Sequence, residues 1–471
     1  MKKIISLLSV FITLNAISQN LNLVNNFAQE GIKTITNDGV GLDLINFIDY
    51  DQNSLLVYSK IFSENGTEEN VIYKINTDGT FDTNFGENGK LSLPKHDGRF
   101  FVYKQNTGDL IIFFTRVLPF NTGTPNNERV ITKYNANGEL DNAFGVNGEV
   151  KIPIGNTDGT GVSNIIVLND NTILFSDSEK FIKYNSNGSL DLNYGDNGII
   201  QEPSIGHMTN SNDGNILFYN STQLEKKDYN NNAISNFGDS GVYAFPSQND
   251  YLVKAYPDRV SYMNLGELPV KFYDLNVNGK QNTNFNSTGI IDLETDNDTV
   301  AYFESFDFTG NKFYFLGIST NETPVIVCYD TAGNLFKLNN QNSYKESNLV
   351  TSGFTSAIEK DGFLFTCGYQ YDELNDSENL IIAKYSTSNP ATLSAPKFQN
   401  DAIKAILSKK FIEFKGLDKI KKIELFDLSG KRVRQIHDSN KVSILNLNKG
   451  LYIAHIKTNN KHTKVIKVLI K

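Results

Sequence analysis

The sequence predicts an all-β protein: a seven-bladed β-propeller closed by an N-terminal strand, followed by a small Ig-like β-sandwich. Three observations lead to this prediction. A segment with one aromatic residue and two turn signals recurs along most of the chain, the runs between its copies are short and rich in Ile, Val, Phe and Tyr, and none shows a sustained helical period. At 471 residues the chain is also too long for one ordinary core, so repeats or several domains are expected.

The N-terminus has the pattern of a signal peptide. Two lysines precede an apolar run from Ile4 to Leu14, and Ala16 and Ser18 place small residues just before a cleavage site. The apolar run is too short to cross a bilayer and no other segment reaches that length, so we expect no transmembrane segment. We assign residues 1–18 to the signal peptide, 19–390 to the propeller and 391–471 to a C-terminal domain.

The most regular feature of the repeat is one spacing: an aromatic residue is followed by Gly four positions later. Successive aromatic residues are 58, 59, 50, 43 and 48 positions apart. The six pairs are Phe27 with Gly31, Phe85 with Gly89, Phe144 with Gly148, Tyr194 with Gly198, Phe237 with Gly241, and Phe285 with Gly289. Periods of this size are typical of propellers, solenoids or arrays. About three further strand-like runs per unit favour a four-stranded propeller blade over a solenoid coil.

The stretch "YNANGELDNAFGVNGEVKIP", Tyr134 to Pro153, shows what each copy contains. Asn-Gly accepts positive φ at little cost, so we interpret the copy as a connector of two tight turns, with the aromatic residue buried beneath. The oxygens of Asp78, Asp82, Asp141 and Asp191 suggest calcium as an alternative, but the ligand order of a calcium loop is absent. A phosphate cradle would need a helix after the Gly-rich turn, and none follows. We therefore expect no cofactor and no metal.

Seven strands that precede a connector can be counted, which predicts seven blades. They end near Ile75, Tyr134, Tyr184, Tyr229, Tyr273, Tyr329 and Tyr385. The strand that follows a connector also occurs once before the first blade, at Gly31 to Ile35, and is missing after the last. We predict that this N-terminal strand pairs with the strand ending at Tyr385, because such closure removes exposed sheet edges.

The units "INTDGTFDTNFGENGKLSLP" and "YNSNGSLDLNYGDNGIIQEP", together with the one quoted above, resemble the delta-60 repeat of large exported bacterial proteins. The resemblance covers roughly residues 20–388. It implies a β-propeller, and it implies neither an enzymatic activity nor any catalytic residue to carry over.

The net charge changes sign at the C-terminal domain. From Lys397 onward there are 18 Lys and Arg against 6 Asp and Glu, a net charge of +12, and the rest of the chain carries −21. An acidic body argues against nucleic-acid binding by the propeller. Alternating apolar runs, with hairpin signals at Ser429-Gly430 and Asn459-Asn460, predict a small β-sandwich.

The pieces "IELFDLSGKRV", "LNLNKGLYIAHIKT" and "KVIKVLIK" resemble the type A C-terminal sorting domain of type IX secretion, an export route of Bacteroidota. Gly430, Lys431, Gly450 and Tyr452 fall at positions where this family expects them, whereas its usual Asn-Pro is replaced by "FQNDAIKA". The resemblance covers roughly residues 397–471. It implies Sec export to the periplasm, contact with the type IX secretion machinery, and attachment to the cell surface or release.

The sequence contains no motif that would assign an enzyme. Zinc-ligand spacings and the G-x-S-x-G elbow are absent, and the lack of Trp excludes sialidase-type boxes. We expect a non-enzymatic secreted or surface propeller that binds an unidentified glycan or protein through loops that differ between blades, such as Val117–Arg129 and Gln370–Asn379. The alternative is a propeller-fold polysaccharide hydrolase or lyase with two carboxylates near the ring axis.

Overall fold

The computed structural model describes an all-β chain that divides into two compact units, residues 1–389 and 390–471. The described residues are 18–19, 21–36, 39–63, 68–93, 97–117, 127–152, 164–176, 180–201, 206–211, 213–266, 269–293, 300–338, 343–345, 349, 351–387, 404–408, 410–415, 420–427, 431–458 and 463–470. The predicted signal peptide up to residue 17, most of the loop Val117–Arg129, and Gly430 therefore lie outside the described residues.

Within the described residues, the first unit contains seven antiparallel sheets that follow one another along the chain, and in sheets 1 to 6 the strands pair in chain order. Sheet 1 comprises Gly41–Asp49, Ser54–Phe62, Glu68–Asn76 and Lys90–Ser92. Sheet 2 comprises Asp97–Lys104, Leu110–Val117, Asn127–Tyr134 and Glu149–Ile152. Sheet 3 comprises Asn164–Val167, Ile173–Ser176, Phe181–Tyr184 and Ile199–Ile200.

Sheets 4 to 6 repeat this plan, with first strands of 4, 6 and 10 residues. Sheet 4 comprises His207–Asn210, Asn215–Tyr219, Gln223–Asp228 and Val242–Ala244. Sheet 5 comprises Tyr251–Tyr256, Arg259–Asn264, Lys271–Asn276 and Ile290–Asp292. Sheet 6 comprises Val300–Thr309, Lys312–Ser319, Pro324–Asp330 and Ser343–Lys345.

Sheet 7 joins the two ends of the first unit. It comprises Ser352–Lys360, Phe363–Asp372 and Ser377–Ser386, together with Ile32–Ile35 and Asn22–Leu23 from the N-terminus. Both N-terminal strands pair antiparallel with Ser377–Ser386, Ile32 standing opposite Ala383 and Leu23 opposite Tyr385. The predicted pairing of the N-terminal strand with the strand that ends at Tyr385 is therefore present. A parallel pairing of Ser18–Gln19 with Lys337–Leu338 was not predicted.

Each sheet packs against the next, and sheet 7 packs against sheet 1. A separate apolar core fills each of these seven spaces. The core between sheets 7 and 1 joins Cys367 and Ile382 to Val57 and Tyr73, for example. Burying these β-branched and aromatic side chains between sheets is the main stabilising contribution expected for such an arrangement.

Because the strands are antiparallel, the links between them fall into two sets, which lie at opposite ends of the strands. The turn between the first and second strands and the connector between the third and fourth lie on one side, which we call the connector face. The loop between the second and third strands and the link to the next sheet lie on the other, which we call the loop face. The repeat copies are all on the connector face.

Each repeat copy folds as two tight turns. In sheet 1 the Gly79 amide donates to the Asn76 carbonyl at 2.9 Å, and Glu87 and Lys90 exchange backbone hydrogen bonds across the second turn. The two residues of that second turn, Asn88 and Gly89, have φ of 54° and 92°. Positive φ at both central positions defines the hairpin turn that Asn-Gly favours.

A backbone hydrogen bond joins neighbouring connectors. The residue after the aromatic position donates its amide to the first turn of the next connector, at 2.7 Å from Gly86 to Asn137 and at 2.8 Å from Gly145 to Asn187. The turn glycine that follows the acceptor lies against this contact: a Cβ on Gly188 would be 2.7 Å from the Gly145 nitrogen. The Asn-Gly pairs therefore hold sheets together in addition to reversing the chain.

The second unit contains two sheets that share one core. One comprises Lys404–Leu407, Phe411–Lys415 and Lys441–Ser443, and the other comprises Ile420–Phe426, Arg432–His437, Gly450–Thr458 and Thr463–Ile470. Ile412 and Val442 of the first sheet meet Leu425 and Ala454 of the second in this core. The unit is therefore a two-layered β-domain.

Candidate functional site

The repeat aromatic residues identified from sequence lie in the cores beneath the connector face. All six are at most 2% exposed, and each belongs to a different core between sheets. They are Phe27, Phe85, Phe144, Tyr194, Phe237 and Phe285. Because these rings are distributed over separate cores, they do not converge on a ligand site.

The repeat glycines, four positions after the aromatic residues, lie in the second turns of the connectors. Their φ values fall between 77° and 98°, a conformation that favours glycine. These glycines are Gly31, Gly89, Gly148, Gly198, Gly241 and Gly289. The amides of Gly198, Gly241 and Gly289 donate to the carbonyl of the aromatic residue of the same copy, at 2.7, 2.8 and 2.7 Å. The glycines therefore have a structural role in the turns, and the structure does not bring them together into a site.

The aspartates that suggested calcium are engaged within the connectors. Asp82, Asp141 and Asp191 each pair with a lysine eight positions earlier, at 3.0, 3.4 and 3.3 Å. Each also accepts an amide hydrogen bond from the residue two positions later. Asp78 accepts from the Thr80 hydroxyl at 2.7 Å. These carboxylates therefore fix turns and neutralise lysines that lie beneath the connectors.

In the second unit, the sequence-identified residues are also structural. Tyr452 is buried and its hydroxyl donates to the Asn448 carbonyl at 2.8 Å. The Lys431 amide donates to the Asp427 carboxylate at 3.0 Å, and Gly450 begins the third strand of the larger sheet. Gly430 lies outside the described residues.

A pocket of about 440 Å³ opens on the loop face between sheets 6 and 7. Tyr302, from the start of sheet 6, and Tyr369 and Tyr371, from the second strand of sheet 7, supply its aromatic lining. Glu322, from the link between the second and third strands of sheet 6, and Glu378, from the start of the third strand of sheet 7, supply carboxylates. The remaining lining residues are small, aliphatic or hydroxyl-bearing. Pockets of this volume are ordinary ligand sites in proteins.

The backbone of sheet 6 bulges beside this pocket and carries Glu304. Phe303 pairs with Gly317 and Ser305 pairs with Leu316, so Glu304 is the extra residue of a β-bulge. Bulges re-aim a side chain and are frequent next to functional sites. A Cβ on Gly317 would lie 2.4 Å from the Tyr302 carbonyl oxygen, so glycine is needed where the bulged strand approaches its neighbour.

Glu304 is a partly buried acid connected to the pocket wall. The Tyr369 hydroxyl donates to its Oε1 at 3.2 Å, and its buried Oε2 has no hydrogen-bond partner among the described residues. Burial, opposed by the Tyr369 hydrogen bond, raises the pKa of Glu304 to about 6. Burial and the nearby Glu304 also raise the pKa of Tyr369. Desolvation, rather than a second carboxylate, therefore perturbs the pKa of this acid.

Further contacts fix the other pocket residues. A Cβ on Gly353 would lie 3.0 Å from the Tyr369 ring, so this glycine leaves the space in which the ring packs. Glu378 Oε2 accepts the Leu42 amide at 2.7 Å, which ties the pocket wall to sheet 1. Tyr371 donates its hydroxyl to Asp376 on the same hairpin. Contacts within the protein therefore fix these three side chains of the pocket wall, independently of a ligand.

The predicted loop Gln370–Asn379 lies at this site. It spans the hairpin of the second and third strands of sheet 7 and contributes Tyr371 and Glu378 to the pocket. Sequence reasoning missed Tyr302, Glu304 and Glu322, which lie in sheet 6 about 50 to 75 residues earlier. Tyr302 and Glu304 lie in the run "AYFESFDF", whose two acidic residues interrupt an aromatic-rich strand, and Glu322 carried no sequence signal.

Comparison with family models supports both units. Residues 407–471 match the model described as "Secretion system C-terminal sorting domain". Residues 55–85 match the model described as "Domain of unknown function (DUF5122) beta-propeller". The chain is a β-propeller protein with a type IX sorting domain, and it is exported by that route to the cell surface or released. Within the described residues, no helix is long and apolar enough to span a membrane.

The solved structures that match this chain are distant in sequence. Raptor from Chaetomium thermophilum is 10% identical with a TM-score of 0.46, over 79% of this chain and 30% of that chain. The extracellular domain of the hybrid two component system BT4673 from B. thetaiotaomicron is 12% identical with a TM-score of 0.41, over 96% and 59%. The polysaccharide lyase Uly1 is 10% identical with a TM-score of 0.41, over 75% and 91%.

The chain spans less than two thirds of the length of the first two of these structures. No curated protein matches it. The similarities therefore carry no argument about ligand or activity.

Proposed function

We propose that this exported protein is a seven-bladed propeller that binds a ligand, without catalysis, in the pocket on its loop face. In this proposal residues 1–18 are the signal peptide, 19–390 form the propeller, and 391–471 form an Ig-like sorting domain. The seven sheets, their packing order and the N-terminal strands in sheet 7 support the ring. The ligand is a glycan unit or a side chain of a protein partner at the surface.

The observation that carries the binding proposal is the pocket between sheets 6 and 7. Its three tyrosines present flat apolar faces with a polar end, a combination that is enriched at binding surfaces. Gly353 leaves the space in which the Tyr369 ring packs, and the Leu42 amide holds the Glu378 carboxylate, so less entropy is lost at these two side chains on binding.

Binding is favoured over hydrolysis because of how Glu304 is placed. A hydrolase of this type needs two carboxylates that act together on one bond. The pKa of Glu304 is raised by burial, with Tyr369 rather than a second acid as its polar neighbour. The test is prolonged incubation of the protein with surface polysaccharides; release of shorter or unsaturated products would contradict the proposal.

The binding test compares the full chain with a pocket variant on glycan arrays and in surface pull-downs. Tyr302 is 51% exposed, so Tyr302→Ala combined with Tyr371→Ala should remove binding without unfolding the sheets. A matched control is Leu374→Ala, which changes a 95% exposed residue on the same hairpin outside the pocket. We expect the control to bind as the unmodified protein does. Equal binding by the pocket variant would refute this site.

A further inference from the structure

We propose that the loop-face pocket recognises a protonated amine carried on a sugar ring, so that it selects amino sugars over neutral and acidic sugars. This inference rests on the proposed function and names the ligand class of the same site. Charge, aromatic lining and hydroxyl content each contribute to it.

The charge of the pocket wall has one sign. Glu322 and Glu378 line the pocket, and none of the described lining residues is Lys, Arg or His. Asp376 and Glu304 add two further acids through their hydrogen bonds to the pocket residues Tyr371 and Tyr369. Carboxylates in a partly desolvated concavity attract a cation and repel a carboxylate or sulfate. Uronic acids and sulfated sugars are therefore disfavoured.

The aromatic residues suit a cation that is presented on a ring. Tyr302, Tyr369 and Tyr371 line one pocket, and tyrosine faces attract ammonium groups in addition to packing against apolar ring faces. The Tyr369 ring is fixed between Gly353 and Glu304, so it offers a rigid surface. A flexible alkylamine would use the charge of the wall and little of this surface.

The hydroxyl groups of the wall favour a sugar over a simple amine. Thr320, Thr351 and Ser352 line the same pocket, as does Ser319, whose hydroxyl is already hydrogen-bonded to Thr323. Hydroxyls donate and accept hydrogen bonds, as sugar hydroxyls do. The volume of about 440 Å³ also exceeds what one lysine side chain would fill. An amino-sugar unit uses the carboxylates, the tyrosines and the hydroxyls together.

The experiment is isothermal titration of the full chain with three matched oligosaccharides: a glucosamine tetramer, an N-acetylglucosamine tetramer and a galacturonic acid tetramer. We expect the cationic tetramer to bind at least about tenfold tighter than the neutral one, with no binding of the acidic one. Its affinity should fall as salt rises, because the contact is between charges.

Isosteric variants locate the charge effect in the pocket. Glu322→Gln and Glu378→Gln should each weaken binding of the glucosamine tetramer about fivefold, and Glu378→Gln keeps an acceptor for the Leu42 amide. Glu373→Gln removes the same charge from an exposed position on the same hairpin and should leave affinity unchanged. If Glu378→Gln unfolds, as circular dichroism would show, Glu322→Gln in its exposed turn carries the comparison.

The outcomes separate this inference from the proposed function. Equal affinity for the glucosamine and N-acetylglucosamine tetramers would overturn the selection for charge while leaving a sugar-binding pocket. Tetralysine, a cation without a sugar ring, is titrated in the same way. Tighter binding of tetralysine than of the glucosamine tetramer would overturn the assignment to a sugar. Binding of any of these ligands that survives Tyr302→Ala with Tyr371→Ala would overturn the pocket itself, and with it the proposed function.

Discussion

The contact between neighbouring connectors predicts that Gly188 is far less replaceable than other turn glycines. Gly188 has φ of 82°, and a Cβ there would lie 2.7 Å from the Gly145 nitrogen and 2.9 Å from Val150. Gly362, in the first turn of sheet 7, has φ of 77°, and a Cβ there would have no atom within 4 Å. The pair therefore separates the cost of positive φ from the cost of close approach between sheets.

The expected magnitudes follow from these geometries. Alanine at positive φ costs roughly 1–2 kcal/mol, and Gly362→Ala should lose about that amount of unfolding free energy. Gly188→Ala should lose roughly 1–3 kcal/mol more through overpacking. If the Gly145 amide is displaced from the Asn187 carbonyl, which it now meets at 2.8 Å, a further loss of roughly 0.5–1.5 kcal/mol follows. The difference between the two variants should therefore lie between roughly 1 and 4.5 kcal/mol.

Equilibrium unfolding in guanidinium chloride, followed by far-ultraviolet circular dichroism, measures this difference on the full chain. Both variants contain the same C-terminal unit, so its contribution cancels in the comparison. Equal losses for the two variants would refute the idea that the Asn-Gly turns hold neighbouring sheets together. A smaller loss for Gly188→Ala than for Gly362→Ala would show that the two connectors do not approach each other closely at Gly145.

Three further predictions address closure, pH dependence and export. The Lys384 amide donates to the Gly31 carbonyl. In this register the Lys33 amide points toward the partner strand and takes part in the backbone hydrogen bonding, whereas the Thr34 amide points away from that strand. Lys33→Pro should therefore cost at least about 1 kcal/mol more unfolding free energy than Thr34→Pro. Because burial raises the pKa of Glu304 from 4.5 to about 6, the folded protein binds this proton more tightly than the unfolded chain, and stability should fall as pH rises through that window. Relative to Glu304→Gln, the unmodified protein should lose up to about 2 kcal/mol between about pH 4 and pH 7 in denaturant titrations, and a constant gap would contradict the raised pKa. Deleting residues 397–471 should leave the propeller in the periplasm on cell fractionation, whereas surface display of the shortened chain would contradict the sorting assignment.

The repeat made much of the first unit predictable from sequence. Aromatic and glycine residues at a fixed spacing identified connectors, because a two-turn connector with a buried ring tolerates few alternatives at those positions. The strand at Gly31 to Ile35 could be assigned to the last blade, because the N-terminal end of the array had one strand too many and the last blade had one strand too few. Its observed partner is Ser377–Ser386.

The pocket could not be predicted in the same way. Tyr302 and Glu322 belong to sheet 6, whereas Tyr369 and Glu378 belong to sheet 7, and only the packing of two sheets brings them together. Packing of two separate sheets leaves no local sequence motif, since each residue alone is an ordinary tyrosine or glutamate near the end of a strand. The bulge at Glu304 was equally hidden, because its residue pattern differs from a regular strand by one position.

Sheet 7 combines strands from the two ends of the first unit, and this has a consequence for which chains can be exported. Ile32–Ile35 is synthesised about 350 residues before the strand it pairs with, so this pairing is among the longest-range contacts in the chain and cannot form until Ser377–Ser386 has been made. The sorting domain begins only after that partner strand has been made. A chain that ends before Ser377–Ser386 therefore lacks both this pairing and the sorting domain, so the export signal is present only on chains that also contain every strand of sheet 7.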